Sequence, residues 1–179
     1  KIIVFMFFAV LFSLNVNALS DVSAKSAILI NGTTGEVIFS KNVNEQLPMA
    51  STTKIMTAIV LCESVEDLQK TVVTTKEMVT VEGSSMGLLE GDTVSFEALL
   101  YGLLLSSGND AANTIAISLC GSIDAFVAKM NAKAKDLGLK DTSFETPSGL
   151  DGERHYTSAY DLSIIAAYAL KIPEIAKAV

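Results

Sequence analysis

The chain has 179 residues, enough for one domain, and half of them are apolar, so it can fill a core. Its net charge of -7, with no basic run, argues against a nucleic-acid partner. Two cysteines and a single histidine offer no metal-ligand spacing, so no zinc site and no cofactor is expected.

Ile2 to Phe12 is an apolar run of signal-peptide length, too short to span a bilayer, and Val16-Asn17-Ala18 offers a small residue for cleavage. Residues 1–18 are therefore read as an export signal and 19–179 as the mature piece, placed on the extracytoplasmic side. Ser26–Asn31 and Glu36–Ser40 read as two strands, and the turn residues Gly32-Thr33-Thr34-Gly35 make them a hairpin. A polar loop, Lys41 to Leu47, leads to Pro48, which cannot continue a helix backwards.

From Ser51 to about Glu63 the chain reads as a helix that is apolar on nearly every face, the mark of a helix inside a domain. Thr71–Thr74 and Val79–Val81 look like short β pieces, and Gly83 to Gly87 a loop. Ser95 predicts an N-cap for a helix over Phe96–Leu105. Ser106 to Asp110 breaks it, and a helix from about Asp110 to Cys120 closes at Gly121. Ser122 caps the next, which ends at Gly138. Thr142 to Tyr156 is irregular. Ser158-x-x-Asp161 resembles a capping box for a last helix to about Lys171, and Pro173 interrupts the chain beyond it. Cys62 and Cys120 fall in apolar helical runs and read as buried free thiols. One hairpin is few strands for so many helices, and the expectation is that the sequence stops before the strands that complete a sheet.

Two places could carry chemistry. Ser51 and Lys54 are three apart at the mouth of the buried helix and share a face. Burial disfavours the charged form of a lysine, so Lys54 can become a base. The helix N-terminus favours an anion near Ser51. The second place is Ser107-Gly108-Asn109, a hydroxyl and a carboxamide two residues apart in a bend between helices. Taken singly, each motif is weak, and Ser107 and Asn109 read as well as cap and turn residues.

With their neighbours they become specific. The runs Ser51-Thr-Thr-Lys54-Ile-Met-Thr, Leu104-Leu-Ser-Ser-Gly-Asn-Asp-Ala-Ala112, and Pro147-Ser-Gly-Leu150 followed by His155-Tyr-Thr-Ser-Ala159 resemble the low-molecular-weight penicillin-binding proteins, serine-type D-alanyl-D-alanine carboxypeptidases. The resemblance covers about Ser26 to Lys171. It implies an α/β, DD-peptidase/β-lactamase-like fold, a helical cluster packed on an antiparallel sheet, with 19–179 as the N-terminal part of the catalytic domain. It implies Ser51 as the acylated nucleophile, Lys54 as its base, Ser107 as a proton relay to the leaving amine, and Asn109 as a substrate-amide contact that also steadies Lys54. The implied reaction removes the terminal D-Ala from peptidoglycan stem peptides ending in D-Ala-D-Ala, and β-lactam antibiotics would acylate the same serine. Membrane association would come only through a missing C-terminal segment. The family's third motif, Lys-Thr-Gly, is absent; Lys70-Thr71-Val72 is the nearest match. Thr146 stands where the family often has Asn.

Three other readings remain. Gly83-x-Ser85-x-Gly87 matches a nucleophile elbow, and with Asp141 or Asp151 and then His155 it follows α/β-hydrolase order, but no strand-turn-helix surrounds it. A class A β-lactamase would need a carboxylate to activate the deacylating water, and no Glu four residues before an Asn follows Ser107. A non-catalytic peptidoglycan-binding relative would explain the absent Lys-Thr-Gly, but not the joint presence of Ser51, Lys54, Ser107 and Asn109.

Overall fold

The structure is a computed structural model that describes residues 22–150 and 152–179. The apolar leader and its cleavage residues lie outside the described residues.

Strands β1 (Ala27–Ile30) and β2 (Val37–Lys41) form the expected antiparallel hairpin. Its turn is built by Asn31, whose Oδ1 accepts from the N–H groups of Thr33 and Thr34 at 2.9 and 3.1 Å. After a short 3₁₀ turn over Ala50–Thr52 comes α1 (Thr53–Ser64). Its Met56, Ala58, Ile59 and Leu61 are fully buried. They can be so because α1 is surrounded: the chain returns over it as α3 (Phe96–Leu105), α4 (Asn109–Cys120), α5 (Ile123–Asp136), α6 (Ala159–Ala169) and α7 (Pro173–Ala178). Each fully buried leucine or isoleucine in that cluster contributes about 1.5–3 kcal/mol. Polar ties also fix the far end of α1. Glu63 accepts from Lys133 of α5 at 2.5 Å and from the Tyr168 hydroxyl of α6 at 2.6 Å.

Caps set the helix boundaries. Ser95 accepts from the Ala98 N–H, Ser122 from that of Ala125, and Ser158 from that of Asp161. Only half of a capping box forms at Ser158, because the Asp161 carboxylate turns away to the Asp141 N–H and the Thr142 hydroxyl. Gly121 ends α4 at φ +78°, a conformation that favours glycine. Pro173 separates α7 from α6 and also starts it, where a missing N–H costs nothing.

One expected element is absent. Val79–Val81 forms no strand; Lys76–Val79 is a helical turn, α2, closed by the Thr80 N–H on the Lys76 carbonyl at 3.0 Å. The partner of β3 (Thr71–Val73) is instead β4 (Thr93–Ser95), which the sequence reading does not include. Three residues are too few to show a period, and the pairing spans some twenty positions of chain. Ser95 ends that strand and caps the following helix.

The segment 142–157 has almost no regular structure, yet it is firmly tied. Leu47 and Thr157 exchange backbone bonds at 2.9 and 3.0 Å, and Ser143 and Tyr156 do the same. Asn131 of α5 holds the Phe144 backbone with both ends of its carboxamide. The result lays Pro147-Ser148-Gly149 across the mouth of α1.

Candidate active site

Ser51 sits in the 3₁₀ turn that opens α1, exposed to solvent, and Lys54 lies one turn inside at 2% exposure. Lys54 Nζ is 3.3 Å from Ser51 Oγ and donates to the Ser148 carbonyl at 2.6 Å. Burial lowers the Lys54 pKa from 10.5 to about 8. Roughly a tenth of the amine is then neutral at pH 7, against about three in ten thousand for an unperturbed lysine. A neutral Nζ beside Ser51 can accept the hydroxyl proton, so the pair has the geometry and the proton affinity of nucleophile and base.

The turn itself is strained. Ala50, the residue before Ser51, has φ +45°, and Ser107 has φ +52°. Non-glycine residues in this region cost about 1–3 kcal/mol each and persist where the surroundings hold them. Gly149 helps to hold Ala50: a Cβ there would fall 2.0 Å from the Ala50 carbonyl oxygen. Only glycine permits this approach.

Asn109 opens α4, which packs against α1, and Ser107 lies in the bend before it. The Asn109 side chain is 5% exposed and donates from Nδ2 to the Glu82 carbonyl at 2.6 Å. Its backbone N–H donates to the Ser84 carbonyl at 2.8 Å. Among the described residues, neither Ser107 nor Asn109 hydrogen-bonds Ser51 or Lys54; beside Ser51, the Lys54 amine is bonded to the Ser148 carbonyl.

Ser85 is not a free nucleophile. Its hydroxyl donates to the buried Asp110 carboxylate at 2.6 Å. Asp110 also accepts from the N–H groups of Met86, Gly87, Leu88 and Ala111 at 2.9–3.0 Å. Burial alone would raise its pKa; the Ser85 hydroxyl and the N–H groups of Met86, Leu88 and Ala111 outweigh that and hold it below 3.8. The lone histidine is committed elsewhere: His155 Nε2 lies 2.7 Å from Thr53 Oγ1. The α/β-hydrolase reading therefore loses both its serine and its base; its Asp151 lies outside the described residues.

The sequence reading gave no role here to Ser148, Gly149, Thr53, Thr57 or Asp110, and gave His155 one only in the α/β-hydrolase alternative. One signal was present. Thr53, Lys54 and Thr57 put a polar strip on an otherwise apolar helix, and buried polar groups require partners. Ser148 and Pro147 carbonyls supply two of them, the latter accepting from Thr57 Oγ1 at 2.6 Å. Cys62 and Cys120 are free and half-buried, and burial, with Glu174 and Glu63, pushes the Cys62 thiol up to about 12. Among the described residues no group of three or more His, Cys, Asp or Glu is placed to hold a metal ion.

Comparison with known proteins adds to this geometry. The family described as D-alanyl-D-alanine carboxypeptidase matches residues 13–178. D-alanyl-D-alanine carboxypeptidase DacF of Bacillus subtilis is 44% identical over 158 residues, which are 86% of this chain and 41% of that protein. DacB2 of Mycobacterium tuberculosis is 40% identical over 159 residues, 88% of this chain and 54% of that one. Among solved structures, penicillin-binding protein 6B from Escherichia coli superposes with a TM-score of 0.81 at 36% identity, covering 85% of this chain and 51% of its own. A mutant of the Streptomyces K15 DD-transpeptidase gives 0.84 at 31% identity, covering 88% and 65%. The chain spans about two-fifths of the length of the first curated relatives it matches. These likenesses agree with a helical cluster and small antiparallel sheets, and the chain belongs to the D-alanyl-D-alanine carboxypeptidase family.

Proposed function

We propose that this chain carries the nucleophile and base of a serine D-alanyl-D-alanine carboxypeptidase. The observation that supports it most is Lys54, buried and 3.3 Å from the exposed Ser51 hydroxyl, with a pKa lowered to about 8. Neutral Lys54 takes the Ser51 proton as Oγ attacks the carbonyl of the penultimate D-Ala. The bond to the terminal D-Ala breaks, and Ser107 relays the proton held by Lys54 to the departing amine, which leaves Lys54 neutral again. Water then cleaves the ester and frees Ser51. The Ser51 backbone N–H, at the positive end of α1, is one donor to the developing oxyanion, and losing such a donor typically costs about 10²–10³ in kcat. Asn109 contacts the substrate amide. A β-lactam opens on Ser51 in the same way but keeps its leaving nitrogen tethered.

The substrate class is peptidoglycan stem peptides ending in D-Ala-D-Ala, which places the protein outside the cytoplasm; residues 1–18 serve as the export signal. A passive wall-binding relative would have no use for an amine held in the neutral range beside a hydroxyl. The test is D-Ala release from a peptide ending in D-Ala-D-Ala by the full-length protein, with and without an acceptor amine. Release that vanishes in Ser51→Ala supports the reading. Release that survives the substitution, or none from the wild type, rejects it.

A further inference from the structure

His155 lies 3% exposed behind the mouth of α1, and both ring nitrogens are engaged. The Glu145 N–H donates to Nδ1 at 2.9 Å, so Nδ1 carries no proton. The neutral ring therefore holds its proton on Nε2, which donates to Thr53 Oγ1 at 2.7 Å. Phe144 meets the imidazole edge-on, with ring centroids 6.0 Å apart. The Glu145 carboxylate turns to the Arg154 N–H groups at 2.9 and 3.1 Å.

The ring thus joins the backbone at 145 to the helix residue next to Lys54. Between those anchors the chain arches over α1, and its next contacts are the Pro147 carbonyl on Thr57 and the Ser148 carbonyl on Lys54. Among the described residues, Ser148 is the one anchor that holds Nζ from beyond the Ser51–Lys54 turn, so its place decides where Nζ points. We infer that His155 is a positioning residue for Lys54: by bridging the Glu145 N–H to Thr53 it fixes the arch whose Ser148 carbonyl aims the Lys54 amine at Ser51. The inference rests on the Ser51–Lys54 reading above.

Two substitutions in the full-length protein separate this role from packing. His155→Leu keeps an apolar filler against Phe144 but removes both bonds. His155→Gln keeps an acceptor and a donor for them, because its carboxamide oxygen and nitrogen lie about as far apart as Nδ1 and Nε2, though one bond further from Cβ than Nδ1. The readouts are the acylation rate with a fluorescent penicillin, the affinity of the encounter complex and the melting midpoint. The leucine variant should bind the penicillin within about threefold of wild type but acylate about 10- to 100-fold more slowly, the effect of displacing a reacting group by about 1 Å. The glutamine variant should recover to within about threefold. Thr53→Val should slow acylation alike, and the double variant should be no slower than the leucine variant, since each substitution breaks the same bridge. Nitrogen shifts of the wild-type imidazole should show Nε2 protonated and Nδ1 not. A folded leucine variant that acylates at the wild-type rate, a glutamine variant as slow as leucine, or a protonated Nδ1 overturns the proposal. If the leucine variant does not fold, Thr53→Val and the nitrogen shifts decide. A wild type that forms no adduct overturns the reading of Ser51 and this proposal with it; a labelled wild type with an unchanged leucine variant overturns the proposal alone.

Discussion

At the mouth of α1, Lys54 is 2% exposed and has two polar partners, Ser51 Oγ and the Ser148 carbonyl. At the start of α4, Asp110 is fully buried and has five, one hydroxyl and four backbone N–H groups. Both pKa values move down, with opposite consequences. For the lysine, a fall to about 8 favours the neutral amine; for the aspartate, a fall holds the charge. A buried charge that is fully satisfied organises structure, here the turn Gly83–Leu88. A buried cation that is left short of partners holds its proton less tightly and can react through its neutral fraction. Each region also contains a serine, and the same rule sorts them: Ser85 spends its proton on a carboxylate, whereas Ser51 faces an amine that can receive one.

The comparison breaks most sharply at Ser51 and Lys54. Ser51→Ala should abolish penicillin labelling, and Lys54→Ala should slow it by about 10³ or more, because nucleophile and base act as a unit. Lys54→Arg should be as slow, since a guanidinium keeps its charge. Asp110→Ala attacks stability. It strands four N–H groups, and urea melts should show a loss of about 3–5 kcal/mol. A stable Asp110→Ala protein would mean that the turn does not depend on the carboxylate.

The pH limbs sharpen the contrast. The acylation rate should rise with pH through about 8 as Lys54 loses its proton. Between about 8 and 10.5 the unfolded chain holds a proton at Lys54 that the folded chain does not, so the Lys54 contribution to stability grows with pH there. Below about 8 both states are protonated and that contribution is flat. Asp110 acts on the acid side: its contribution is present above its ordinary value of 3.8 and is lost as pH falls through the lower folded value. Lys54→Met should remove the alkaline limb and leave the acid one. The smallest effect is Ser85→Ala, which takes one donor from Asp110 and should cost about 1 kcal/mol in urea melts with labelling unchanged. Loss of labelling there would make Ser85 a candidate nucleophile again.

Much of this was legible in the sequence wherever local chemistry set the outcome. Ser95, Ser122 and Ser158 announce three helix starts and Gly121 a stop, and the apolar run after Ser51 marks the central helix. Asn31 and Gly35 fit the turn of the hairpin. The β3–β4 pair was not legible, because two three-residue strands meet only through a non-local ladder. Nor was the back wall of the site. Ser148 reaches Lys54 from ninety-four positions away, and it does so with a carbonyl, which every residue has. Asp110 is one residue from Asn109 yet serves a different turn, and no local pattern separates the two roles.

The most direct test of the central claim is mass-spectrometric mapping of the adduct formed when the full-length protein meets penicillin. The account predicts a single penicilloyl group on the peptide that carries Ser51. An adduct on Ser85 or Ser107, or no adduct on a folded protein, would contradict it.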